Sequence, residues 1–267
     1  MITFANAKIN IGLHVTNKRP DGYHSIETIF YPVKLYDVIE IFPDKETKAN
    51  DLGITLSAKD HLCIKAYEIL NQDYNLPVLS FNLLKNIPVG AGLGGGSSDA
   101  SHVLKLLNNE FSLGITSQQL ENYAAKLGAD CPFFIQNEAT YAEGIGTTFH
   151  KIHLDLSTYY IVIVYPNIHI STAEAYANVI PQVPKSDLRR AIQLPIQEWK
   201  YHIINDFELG LFDKYPKLKE IKNLLYAQGA LYASMTGSGS ALYGIFETKI
   251  ILEEIDQLGK IYYPTDL

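Results

Sequence analysis

Between Pro88 and Ser101 the chain reads PVGAGLGGGSSDAS. Glycines at positions 90, 92, 94, 95 and 96 leave bare backbone directly ahead of Ala100, Val103, Leu104 and Leu107, whose spacing predicts a helix starting at the serines. A loop that feeds a helix exposes the unpaired amides of its first turn, and glycines let that backbone approach an anion with no Cβ in the way. The chemistry this suits is phosphate binding. The same residues also read as a flexible turn, because Gly and Ser clusters commonly mark loops. Gly90, Gly92 and Gly95 satisfy GxGxxG, but a dinucleotide site wants that motif early, in a repeated βαβ series with an acidic residue about 20 positions on. A protein-kinase loop would need a DFG or HRD-like segment downstream, and a Walker A loop a Lys after the glycines; neither is present. What is left is a nucleotide loop of another design.

Other chemistry-bearing residues are weaker signals taken alone. Asp130, in LGADCPFF, reads locally as an N-cap for a turn beginning at Pro132, since Asp favours that place and Pro the first helical position. Asp99 falls in the first turn of the helix after the glycines, where a carboxylate favours the helix but repels phosphate, so it reads as a structural cap. Lys8, on the alternating stretch AKINIGLHV, reads as an exposed strand position.

The elements that must position these residues follow from periodicity. AKINIGLHV, SIETIFYPV and YDVIEIF alternate apolar and polar residues and predict an antiparallel β region. Leu62, Ala66, Ile69 and Leu70 share a helical face, and VLSFNLLKNIP predicts the strand that delivers the chain into the glycines. A second helix, opened by Thr116 or Ser117 and carrying Leu120, Tyr123, Ala124 and Leu127, is expected to end at Gly128 in a left-handed C-cap. ATYAEGIGTTFHKI and YYIVIVYP are strand-like, and helices are expected over 172–179, 187–192, 199–212 and 217–227, with two strands flanking TGSGS. Pattern places a boundary near Ile152, giving segments 1–152 and 153–267.

Composition narrows the partners. The 267 residues, 47% hydrophobic, can bury a substantial core, and a formal net charge of −7 argues against general nucleic-acid binding, which needs clustered Lys and Arg. Any phosphate must be held locally. Cys63 and Cys131 show no CxxC or Cys/His spacing, so neither a disulfide framework nor a zinc site is indicated. No basic segment precedes an apolar run, and YYIVIVY is too short to span a bilayer, so a soluble cytoplasmic protein with no membrane partner is expected.

PVGAGLGGGSSDAS resembles the phosphate loop of the GHMP kinase superfamily, AKINIGLHV its first motif, and MTGSGSALYGIF (Met235–Phe246) its third. The three stand in the family's order and span most of the chain. Within the superfamily, AKIN with RPDGYH, GLGGGSSDA, LGADCPFF and AEGIG together resemble members whose acceptor is a cytidine diphosphate derivative of methylerythritol, in the non-mevalonate isoprenoid precursor route. The resemblance implies an α+β fold of two lobes, the first like ribosomal protein S5 domain 2 and the second ferredoxin-like.

The same resemblance implies site roles. The loop residues Pro88, Val89, Gly90, Ala91, Gly92, Leu93, Gly94, Gly95, Gly96, Ser97 and Ser98, with Lys85 ahead of them, would hold ATP, which arrives with Mg²⁺ whose ligands the sequence leaves unassigned. Asp130 matches the family's catalytic carboxylate, expected to accept the proton of the substrate hydroxyl, and Lys8 the ammonium that keeps it ionised and stabilises the transferring charge. Asn10, Tyr23, His24, Thr172 and Tyr176 match substrate-binding positions, with Tyr176 where a stacking aromatic is expected. His61 stands where some members place Asn at the adenine site, and Tyr176 where others have Phe.

Overall fold

The computed structural model describes residues 1–53, 61–177, 179–253 and 255–264. The chain divides into two compact units. One comprises Met1–Ala7, Leu35–Val89 and Gly94–Glu138, the other Lys8–Lys34, Gly90–Leu93 and Ala139–Leu267. Two long strands, β1 (Ile2–Lys18) and β2 (His24–Pro43), supply residues to both. SIETIFYPV and YDVIEIF, which alternation separates, are thus one strand. Pro32 lies between the stretch of β2 paired with β5 (Thr140–Glu143) and the stretch paired with β4 (Leu79–Lys85).

In the first unit, β4 runs antiparallel to Val38–Pro43 of β2. On its other side β4 pairs in parallel with β3 (Ala49–Gly53), a strand that the alternation of the first forty residues does not reach. Helices α1 (Leu62–Tyr74), α2 (Gly95–Glu110), α3 (Ser117–Ala125) and the short α4 (Phe133–Gln136) belong to the same unit. Ile39, Ile41, Phe81 and Leu83 share one core with Ala66 and Leu70 of α1 and Val103, Leu104 and Leu107 of α2. Full burial of each such side chain contributes ~1.5–3 kcal/mol, so this core fixes where α2 begins. α2 starts at Gly95, two residues before the serines. α3 opens on a capping box, Thr116 Oγ1 accepting from the Gln119 amide while the Gln119 side chain accepts from the Thr116 amide.

In the second unit, Thr28–Phe30 of β2 pairs with β5, which turns back into β6 (Thr148–Lys151) through positive-φ Gly144 and Gly146. A separate antiparallel sheet has the order β10-β7-β9-β8, with β7 at Tyr160–Tyr165, β8 at Tyr232–Met235, β9 at Leu242–Phe246 and β10 at Lys260–Tyr262. Its helices are α5 (Thr172–Ala177), α6 (Leu188–Ala191), α7 (Ile196–His202), α8 (Phe207–Lys214) and α9 (Pro216–Ala227). The expected helix over 172–179 ends earlier, and its position 178 lies outside the described residues.

The single helix expected over 199–212 is two helices. Leu13 of β1 donates its amide to Ile204 O and accepts from the Asp206 amide, at 2.9 and 2.8 Å, while Asp206 Oδ2 accepts from the Val15 amide. Tertiary pairing with β1 takes the backbone groups that a continuous helix would need, and tertiary partners override local periodicity.

Candidate active site

The loop geometry is set first by backbone. Gly90, Gly92 and Gly94 all have positive φ, a conformation that side chains other than glycine's rarely adopt. Gly94 is the N-cap of α2 and gives it no side-chain cap, so the first-turn amides are left to another acceptor. A partial positive charge gathers at that end from the aligned peptide dipoles of sixteen residues.

Within the first unit, the segment carrying Asp130 is tied to this same helix start. Ser101 Oγ donates to Cys131 O at 2.7 Å, and a Cβ built on Gly128 would lie 3.7 Å from Ser97 Oγ and 3.2 Å from Cys131 Sγ. Gly128 therefore serves close packing, not the left-handed C-cap expected of it; α3 ends earlier, at Lys126 in right-handed geometry. Nor is Asp130 the cap of α4, whose N-cap is Pro132 with no side-chain bond. One turn deeper, His102 Nδ1 donates to Ser98 O at 2.9 Å and its Nε2 accepts from Lys105 Nζ at 3.4 Å, while Lys105 also donates to Phe134 O at 2.8 Å. Burial, and then the neighbouring Lys105 charge, pull His102 down to about 3, and burial pulls Lys105 down to about 8.

Lys85 ends β4 with its ammonium buried between Asp37 and Asp99. Asp99 is not a cap: it lies beyond the first turn and pairs with Lys85 at 2.9 Å. His61, expected beside adenine, is a buried N-cap residue of α1 whose Nε2 lies 3.0 Å from Asp51 Oδ1.

Within the second unit, Lys8 is buried, contrary to its bare reading as an exposed strand position. Its Nζ donates to Asn10 Oδ1 at 2.6 Å and stands 5.0 Å from the centre of the Phe30 ring. Asn10 Nδ2 donates to Thr28 Oγ1, which donates to Gly12 O, so one polarised chain orients the ammonium. Leu93 O accepts the Lys8 amide at 2.9 Å, and Ala91 O accepts that of Ala241 at 3.1 Å.

Thr236 joins the first and third motifs to the glycines. It accepts from the Asn10 amide and donates to Gly92 O, both at 3.0 Å. A Cβ on Gly92 would fall 2.1 Å from Thr236 O. Asn205, which sequence reasoning passed over, holds the third motif by donating to Met235 O and Gly237 O at 2.9 Å. His169 was also passed over; its ring would lie 3.2 Å from a Cβ on Gly90.

The aromatic positions converge. His24 stacks on Tyr176 with ring centres 4.6 Å apart and planes 18° off parallel, and Tyr176 meets Phe207 edge-on at 4.9 Å. Thr172 starts the short helix that carries Tyr176, while Tyr23 is 64% exposed beside His24. Val89 is exposed at the loop entrance, and Ala91 and Leu93 are buried. Among the described residues no cluster of three or more His, Cys, Asp or Glu could hold a metal ion, and no helix is long and apolar enough to cross a membrane.

Comparison with known proteins gives one consistent picture. Residues 61–138 match the GHMP kinases N terminal domain and residues 188–260 the GHMP kinases C terminal domain. A 4-diphosphocytidyl-2-C-methyl-D-erythritol kinase of Bacteroides thetaiotaomicron is 51% identical, with 96% of each chain covered. One of Bacteroides fragilis is 45% identical over the whole of both chains. A crystal structure of 4-(cytidine 5'-diphospho)-2C-methyl-D-erythritol kinase superposes with a TM-score of 0.82 at 28% identity, covering 99% of this chain and 98% of that one. The mevalonate kinase of Methanococcus jannaschii, at TM-score 0.68 and 16% identity over 98% of this chain and 97% of its own, shares the fold alone.

Proposed function

This chain belongs to the 4-diphosphocytidyl-2-C-methyl-D-erythritol kinase family of the GHMP kinases, and from that premise we propose that it transfers the γ-phosphoryl group of ATP to the 2-hydroxyl of 4-diphosphocytidyl-2-C-methyl-D-erythritol. The observation that carries the reading furthest is the tether between Ser101 and Cys131, which keeps the Asp130 segment against the helix whose first-turn amides no side chain caps.

Phosphoryl transfer asks the protein for positioning and charge stabilisation more than for covalent chemistry. The amides at the head of α2 and the glycine backbone hold the triphosphate, with the helix dipole supplying local positive potential in a chain of net charge −7. Asp130 accepts the proton of the acceptor hydroxyl as the bond to phosphorus forms. Lys8, aimed by Asn10, stabilises charge on the transferring group. His24 and Tyr176 offer flat faces and an imidazole to the cytosine, with Asn10, Tyr23 and Thr172 as the remaining substrate contacts.

Mg²⁺ enters this reading with ATP. The protein offers no carboxylate cage for it among the described residues, which fits an ion that keeps most of its waters and binds through the nucleotide phosphates, where it neutralises charge. We assign the reaction to the cytoplasm, supported by two buried free thiols, Cys63 and Cys131.

The test is turnover with ATP and each of three acceptors: the cytidyl compound, homoserine and mevalonate. Phosphorylation of the cytidyl compound alone is expected. Turnover of either other alcohol without it would overturn the assignment.

A further inference from the structure

In the first unit Lys85, which the resemblance places with the ATP-holding residues, sits in a charge cluster with two carboxylates to which the kinase reading gives no role. Lys85 Nζ donates to Asp37 Oδ2 of β2 and, at 2.9 Å, to Asp99 Oδ2 of α2, and all three side chains are no more than 2% exposed. Asp37 Oδ1 accepts the backbone amides of Asn86 at 2.6 Å and Ile87 at 2.8 Å, the last donors before Pro88 opens the loop. The cluster thus grips both stems of the glycine segment. Asp37 holds the incoming stem, Asp99 belongs to the outgoing helix, and Lys85 bridges them. A Cβ built on Gly95, the first residue of α2, would lie 2.8 Å from Lys85 Nζ, so the ammonium sits against the first turn of α2, which no side chain caps.

The charges in the cluster do not cancel. Two carboxylates share one ammonium, and Asp99 Oδ1 is buried with no hydrogen-bond partner. A buried carboxylate oxygen with no donor is costly even where its twin is paired, and a proton relieves it. Burial pushes Asp99 up to about 7; Lys85 opposes the rise and Asp37 adds to it. Among the described residues, the Cys63 thiol of α1 also faces the cluster, raised by burial first and then by Asp99, and Asp51 of β3, which acts on that thiol, is paired with His61. Lys85 is itself held above its ordinary value, burial being outweighed by the two carboxylates.

We propose that Asp37 and Asp99 are positioning residues for the ATP phosphates: together they hold Lys85 beneath the first turn of α2, and Asp99 takes up a proton when a polyanion occupies that turn. This rests on the kinase reading above. The physical reason is linkage. Negative charge brought to the turn favours the neutral carboxyl, and by reciprocity a proton on Asp99 strengthens binding of the anion.

The test is calorimetric titration of a non-hydrolysable ATP analogue with Mg²⁺ into wild type and Asp99→Asn, near neutral pH, in buffers of different ionisation enthalpy. Protons exchanged by the analogue itself are common to both proteins and cancel. Wild type is expected to take up an extra fraction of a proton, and its affinity to fall relative to Asp99→Asn as pH rises through 7, by about tenfold for each unit by which the analogue shifts Asp99. Asp37→Asn, which keeps an oxygen for the two amides, is expected to raise KM for ATP with kcat little changed. Binding with identical proton uptake and pH dependence in both proteins overturns the proposal alone, and so does an Asp37→Asn that lowers kcat at constant KM. An analogue that fails to bind wild type sinks the kinase reading and the proposal with it. Should Asp99→Asn fail to fold, the carboxyl carbon-13 shift of Asp99 in wild type decides: its titration must move upward when the analogue is added, and an unmoved titration overturns the proposal.

Discussion

Ser101 Oγ donates to the carbonyl of Cys131 at 2.7 Å, so a single hydroxyl on α2 fixes the residue that follows Asp130. Asp130→Asn is expected to lower kcat by ~10²–10⁴-fold, the usual contribution of a positioned acid or base, while ATP affinity stays within a few-fold of wild type. Ser101→Ala leaves the carboxylate in the chain and removes its tether. It is expected to lower kcat with KM for ATP unchanged, and steady-state kinetics of the two variants check both statements.

Gly92→Ala tests the loop backbone. The position has φ of +78°, and the added methyl would meet Thr236 O at 2.1 Å, a backbone atom that cannot swing aside. Strain at such a φ alone is of order 1–3 kcal/mol, so thermal melts should show a loss of at least ~2 kcal/mol once the clash is included. A melt unchanged from wild type would contradict the crossing of these two segments.

His24→Ala and Tyr176→Ala address the acceptor side. The stacked pair is expected to contribute to binding of the cytosine ring at the level of an aromatic contact, ~0.5–1.5 kcal/mol, which is roughly two- to tenfold in KM for the cytidyl substrate. KM for ATP should not follow. Parallel rises in both constants would remove these rings from acceptor recognition.

His102 sets a pH dependence of stability. Its ordinary value of 6.5 is lowered to about 3 in the folded protein by burial and then by Lys105. Between those values the unfolded chain binds a proton that the folded protein refuses, so its stabilising contribution is complete above 6.5 and is lost as pH falls toward 3. His102→Asn should flatten that loss by up to about 1.4 kcal/mol per pH unit, measured by denaturant unfolding at pH 7 and pH 5. Asp99 works in the opposite sense, its contribution fading as pH rises from 3.8 toward about 7, which is why the variant and not the bare profile is the measurement.

Local signals carried much of the fold. The glycines before a helix, the apolar face of α2, the Thr116 cap and the strand into the loop were all legible, because each is decided within a few residues. Long-range pairing was not. Asn205 and Asp206 break a helix that periodicity carries through, because β1 supplies better partners for their backbone. Asp37 lies 48 residues from Lys85, and no local pattern marks it as one of the carboxylates that bury its ammonium. The burial of Lys8 was hidden for the same reason: alternation reports which face a side chain takes, not what covers that face. The GHMP kinase architecture itself came from motif resemblance, and the domain matches show it.

Gly92 and Thr236, 144 positions apart, occupy one another's space, the threonine carbonyl standing where any side chain at the glycine would go. The glycine segment is therefore not a portable cassette. An engineer who grafted it onto a foreign scaffold would carry over the bare backbone and leave behind the second strand of chain that moulds it.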